Sequence, residues 1–259
     1  MLRSIAFNFS HVFEGVIWNT KVSDQNQIIV LEVRDTNKKE VRFSALNYSS
    51  DEFLWKDRMM DEPWWISLSG IAGDIMLLTL YTNKNNPDNK AVVAYNVQDG
   101  ELVWWNNDFS VQTLGKNSVI GFSEKFGKRE QILDVLTGNT IEVKDLNFEN
   151  PEIVLRPQHY PADHPYFDTV KTFLNQKFNL LPIAALEYLE HDSLIFISCY
   201  LQENDMANYL FIMSADGNLL LKEKLDDHLK GIGLDTFFVL SGCVFFVRNK
   251  VELVSYKIL

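Results

Sequence analysis

Four times along the chain an apolar run, a tight turn and a more polar run follow one another. The phrases are "SALNYSSDEFLWKD" (Ser44–Asp57), "AYNVQDGELVWW" (Ala94–Trp105), "QILDVLTGNTIEVKD" (Gln131–Asp145) and "YLFIMSADGNLLLKEKL" (Tyr209–Leu225). Their turns are marked by Asp51, Gly100, Gly138 and Gly217, and a Trp follows four residues beyond the first two, at Trp55 and Trp104. A lone hairpin of this kind is marginal in water, so units that recur must bury their faces against one another.

The markers lie 49, 38 and 79 residues apart, and multistrand units at periods of about 40–50 residues read as propeller blades. Counting the phrase's own first strand, three apolar runs precede the second strand of each phrase, which gives four quartets. Runs such as "LIFIS" are apolar on both faces, as a strand sandwiched between sheets must be. The C-terminus adds three strands, "DTFFVLSG", "CVFFVRNK" and "VELVSYKIL", and lacks a fourth. The N-terminus has one to spare, "RSIAFNFSHV" (Arg3–Val12). Pairing the spare strand with the last one removes an exposed edge. The expectation is therefore an all-β fold, a five-bladed β-propeller closed by the N-terminal strand, as one domain over residues 1–259. Six blades or a β-sandwich are the alternatives. The 79-residue gap is explained by a loop–helix insertion at 157–181.

Composition narrows the partners. Asp and Glu outnumber Lys and Arg by 35 to 24, for a net charge of −11, and no basic run appears. That excludes the concentrated positive charge that nucleic acid or an anionic membrane requires. No apolar window is long enough to span a bilayer, and the first residues show no export signal. A soluble, cytoplasmic protein is expected. Cys199 and Cys243 sit inside apolar strands and read as reduced, buried residues.

The turn phrase Asn96–Trp104 resembles the repeats of the quinoprotein-like family, in which a strand-end Asp, a Gly-Glu/Lys turn and a Trp recur in each blade. Asn96 stands where the family has Asp, and the other phrases share the turn alone. The chain is also similar to an uncharacterised bacterial propeller family of about this length, through "EVRDTNKKEVRFSALNY" and "GLDTFFVLSGCVFFVRNKVEL". The first resemblance implies a propeller. The quinone cofactor and calcium of quinoprotein dehydrogenases do not come with it, since one turn phrase carries no such site, and no cofactor is expected.

The candidate sites begin with the insertion. Asp168 is expected to cap a helix running to Phe178, with Val170, Phe173, Leu174 and Phe178 on its packed face. The prolines at 157, 161 and 165 mark a preceding loop. His159, Tyr160, His164 and Tyr166 are expected to line a recess there. His159, Asp163 and His164 are ligand-type residues, but in a proline-rich loop their ordinary roles are solvation and hydrogen bonding, so no metal is expected. Trp64 and Trp65 at a blade start, like Trp104 and Trp105, place one ring in the core and one at the surface. An exposed ring of this kind suits a partner or a sugar. Glu32 and Arg34 share one strand face and read as a structural ion pair. No nucleophile elbow, zinc-helix motif or phosphate loop occurs. The expected function is a non-enzymatic scaffold that binds a protein or small ligand, whose identity the sequence does not give. The alternative is a glycoside hydrolase-like enzyme with paired carboxylates in the central funnel.

Overall fold

The computed structural model describes residues 3–83, 85–123, 128–142 and 154–259. Among them are twenty strands, paired in antiparallel order, and one helix. The chain starts in β1 (Ile5–Val12) and then builds two meanders, β2 (Val16–Ser23) to β5 and β6 (Ile66–Ala72) to β9. The first continues through β3 (Ile28–Asp35) and β4 (Glu40–Asn47) to β5 (Glu52–Arg58). The second continues through β7 (Ile75–Tyr81) and β8 (Lys90–Asn96) to β9 (Leu102–Asn106). A third sheet holds β10 (Ser110–Leu114), β11 (Ser118–Ser123) and β12 (Arg129–Asp134). The run expected after Gly138 enters the described residues as a bridge between Leu133 and Thr140, and its continuation lies outside them.

These three sheets form one unit, Glu14–Glu152. Ile28, Val30, Phe43, Met76 and Leu78 fill one core within it, and Leu77, Val92, Ala94, Trp104 and Leu133 fill the next. β3 buries Ile28 to Val33 on both faces, which is why "IIVLEV" shows no polar alternation.

All four turn markers adopt left-handed backbone, with φ of 61° at Asp51, 69° at Gly100, 70° at Gly138 and 78° at Gly217. Three of the turns are locked by the polar residue that ends the strand. Asn47 Oδ1 accepts from Ser49 and Ser50 N–H, Asn96 Oδ1 from Gln98 N–H, and Asp134 Oδ1 from Leu136 and Thr137 N–H, all at 2.8–3.1 Å. Asn96, at the position where the resembled repeats carry Asp, thus locks its turn.

Each of two tryptophans joins its sheet to the next at such a turn. Trp55 Nε1 on β5 donates to Val97 O at 2.8 Å, and Trp104 Nε1 on β9 donates to Val135 O at 2.8 Å. Gly138 is required by this joint as well as by its φ, since a Cβ there would lie 2.6 Å from the Trp104 ring. At the opposite end of the strand order, Glu32 is fully buried on β3. Its carboxylate accepts from Arg34 Nε at 2.6 Å and from Leu68 N–H of β6 at 2.7 Å. Arg34 in turn donates to Ile66 O at 2.6 Å. This ion pair therefore satisfies the edge of a neighbouring first strand.

The second unit joins Met1–Phe13 to Ile153–Leu259. β18 (Phe237–Leu240), β19 (Cys243–Arg248) and β20 (Glu252–Ile258) form a sheet that β1 completes in the order β1-β20-β19-β18. Ile5 pairs with Ile258 and Val12 with Glu252, with a bulge at Asn8. The pairing of the spare N-terminal strand with the last strand is thus found.

The other sheet of this unit has five strands. β13 (Gln158–Pro161) lies on the free edge of β14 (Pro182–His191), which is followed by β15 (Leu194–Gln202), β16 (Met206–Ser214) and β17 (Leu219–Leu229). Upstream of β13, Leu155 exchanges both backbone hydrogen bonds with Val239 of β18, at 2.8 and 2.9 Å. One short stretch of backbone therefore covers the first-strand edges of both sheets. β13 also corrects the expectation of a loop here, because Pro157 and Pro161 fall at the ends of the pairing and leave its amides free.

Helix α1 (Pro165–Phe178) packs on one face of this sheet. Phe167, Val170 and Leu174 are buried there against Leu186, Cys199, Tyr209 and Phe211. The cap is a second correction: the N-cap is His164, and Asp168 sits one turn further in, where its charge suits the helix dipole. Pro165 occupies the first helical position, which a residue with fixed φ and no amide donor fits. Phe173 and Phe178 are half-buried and pack against the same core, and Phe167, which the sequence pattern does not single out, joins them fully buried.

The opposite face of the sheet carries the row His159–Glu187–Ser198 across β13, β14 and β15. Glu187 is buried and accepts from Asp235 N–H at 2.6 Å, Thr236 N–H at 2.9 Å and Thr236 Oγ1 at 2.6 Å, just before β18. It plays the part in this unit that Glu32 plays in the other.

Candidate functional site

The head of α1 gathers four aromatic rings. His164 has extended backbone, φ −79° and ψ 136°, and its Nδ1 accepts from Tyr166 N–H at 3.3 Å. That bond sets the tautomer, since an acceptor Nδ1 requires the proton on Nε2. Tyr160, on β13, stacks on the imidazole with centroids 4.7 Å apart and planes 17° from parallel. Tyr166 lies 5.5 Å from Tyr160 and 5.4 Å from His164. Tyr188, on β14, closes the group at 6.4 Å from Tyr160. Its hydroxyl donates to Glu190, and burial, with that carboxylate adding to it, holds the phenol well above its ordinary pKa.

Tyr160, His164 and Tyr188 are half-buried, whereas Tyr166 is 60% exposed. The result is a ledge of rings, fixed from below and open at Tyr166. Such a surface offers π faces and phenol hydroxyls, which suits an apolar or ring-bearing partner. His159 is not part of it. Alternation along β13 sends it to the other face, opposite Glu187, where its Nδ1 is buried without a partner. Sequence reading missed Tyr188 and Glu190, because only the pairing of β13 with β14 brings "EYLEH" beside the helix.

The tryptophans divide unevenly. Trp104 is buried and Trp105 is 61% exposed, on opposite faces of β9. Trp64 packs against the core and has Arg34 at 5.2 Å and Lys39 at 4.8 Å from its ring centroid. Its faces are engaged by cations within the protein. Trp65 is half-buried, and its amide donates to Glu62 at 2.8 Å. The more exposed ring in this region is Trp18, 65% exposed, which an unpaired bulge position on β2 turns outward, with Arg34 5.5 Å from its centroid. A lone Trp on an otherwise regular strand was the available signal for it.

Among the described residues no group of three or more His, Cys, Asp and Glu is assembled as a metal would need. Cys199 is buried, which pushes its thiol up to about 12, far from a nucleophile's range. No helix of the described residues is long and apolar enough to cross a membrane.

A model of a domain of unknown function, DUF4905, matches residues 22–104. That stretch runs from the end of β2 to Trp104. No curated protein matches the chain. Among solved structures it is similar to BamB from Moraxella catarrhalis, at 10% identity and a TM-score of 0.38, with 94% of this chain and 84% of that one covered. It is similar also to the β-propeller domain of the Trilobed protease from Pyrococcus furiosus, at 10% identity and a TM-score of 0.35, over 90% of this chain and 64% of that one. A europium-containing methanol dehydrogenase matches at 12% identity and a TM-score of 0.33, over 95% and 52%. These neighbours are of the β-propeller type, the type that the turn phrases resemble.

Proposed function

We propose that the chain is a single propeller domain of five blades, closed by β1, and that it is a non-enzymatic scaffold of the cytoplasm. Its binding face in this reading is the aromatic ledge at the head of α1, where it takes a protein or small ligand with an apolar or ring-bearing surface. Repeated meanders and a last sheet built from both chain ends support the architecture. The observation that carries the binding role is the ledge itself: three rings packed from below and a fourth, Tyr166, presented to solvent. An ordered aromatic surface loses little entropy when a partner docks. A scaffold is favoured over a hydrolase by Glu32 and Glu187, buried carboxylates whose donors are the ion pair and backbone amides of an adjoining strand.

The test is photo-cross-linking in cells with a benzoylphenylalanine at Tyr166 and, as control, at exposed Thr172 on the same helix. A discrete adduct at 166 that is lost when Tyr160→Ala is added, followed by binding of the purified partner, supports the reading. Equal adducts at both positions, or none at 166, overturn it.

A further inference from the structure

We propose that the head of α1 is an acid-sensitive latch, in which His164 holds the aromatic ledge at neutral pH and releases it on protonation. The latch stands on the geometry of the helix start. Its effect on binding rests on the function proposed above.

Of the three contacts His164 makes, one requires a neutral imidazole, the bond accepted by Nδ1. Nδ1 accepts the Tyr166 amide, the ring stacks on Tyr160, and its backbone N–H donates to Pro161 O at 2.9 Å. Serine, threonine, aspartate and asparagine, the usual residues at this position, keep an acceptor oxygen across the range where histidine titrates. Histidine does not: with both ring nitrogens protonated it has no acceptor left. The Tyr166 amide then loses its partner, and a cation sits on the positive end of the helix dipole.

The titratable groups around the ring are Tyr160 on β13, Asp163 beside it in the chain, Tyr166 and Asp168 on α1, and Tyr188 with Glu190 on β14. Tyr166, the exposed end of the ledge, is the residue whose backbone is freed.

The experiment is amide-exchange protection at Tyr166, read by NMR on the full chain at pH 7.5 and pH 5.5 and corrected for intrinsic rates. Loss of an N-cap acceptor next to a helix dipole predicts a fall of roughly five- to tenfold in the native protein. His164→Asn supplies an acceptor that does not titrate, so its protection stays flat between the two values. His164→Ala is poorly protected at both. Flat protection in the native protein overturns the latch. So does a parallel fall in His164→Asn, or native-like protection in His164→Ala at pH 7.5. None of these readings needs a partner, so a failed latch leaves the cross-linking result standing, and the reverse also holds.

Discussion

The two units solve the same two problems with different chemistry. Each has a turn that a neighbouring element must cover and a first strand whose outer edge must be satisfied. In Glu14–Glu152 the turns are covered by the rings of Trp55 and Trp104, and the β6 edge is satisfied by side chains, Glu32 and Arg34. In the other unit α1 lies over the equivalent turn, where a Cβ at Gly217 would meet Lys177 at 3.3 Å and Phe173 at 3.7 Å. There the first-strand edges are satisfied mainly by backbone, through Leu155 and β13. A side-chain joint is compact and repeats with the blade. A backbone joint takes an excursion, and that excursion brings the aromatic ledge with it.

If this contrast is right, the carboxylates are the most costly positions in both units. Glu32→Ala removes the counter-charge of the half-buried Arg34 guanidinium and the acceptor of the Leu68 amide, and is expected to cost about 3 kcal/mol in a denaturant melt. Glu187→Ala removes the acceptor of the Asp235 and Thr236 amides, while the Thr236 hydroxyl keeps Ser198 Oγ, and should cost about 3 kcal/mol. A tolerated Glu187→Ala, with Glu32→Ala still severe, would mean that the backbone cover alone suffices in that unit.

The tryptophan joint comes next. Trp104→Ala is expected to cost about 3 kcal/mol through the cavity it leaves, and Trp104→Phe about 1 kcal/mol through the lost bond to Val135 O. Equal losses would show that the hydrogen bond matters more than the ring's packing.

Among the truncations to alanine, the smallest effects belong to the helix. Leu174, fully buried, should cost about 2–3 kcal/mol as Leu174→Ala, and half-buried Phe173→Ala about 1 kcal/mol. A reversed order in thermal melts would make Phe173, not Leu174, the anchor of the packed face.

The helix face shows what a sequence can and cannot expose: Val170 and Leu174 of the expected stripe are buried, Phe173 and Phe178 pack half-buried, and Phe167 gave no signal. The repeated turns were legible because left-handed backbone and a strand-end Asn or Asp leave a local signature, and the spare N-terminal strand because strand counts must balance. The sheet-to-sheet role of Glu32 was half legible: its pairing with Arg34 is a two-residue spacing, but its second partner, Leu68, is distant in the chain. The insertion was read least well. Three prolines looked like a loop, although two flank a strand and the third starts the helix, positions where a missing amide costs nothing. A His cap gives no pattern distinct from any surface histidine, so Asp168 was the natural candidate. Tyr188 joined the ledge only through the register of β13 with β14.

Closure of the last sheet by β1 is tested most directly by hydrogen exchange across Ile5–Val12. The β1 amides that point at β20 should exchange as slowly as those of β19 and β20, because a paired strand opens only with its sheet. Fast exchange along all of β1, with β19 and β20 still protected, would contradict the pairing on which the closed architecture depends.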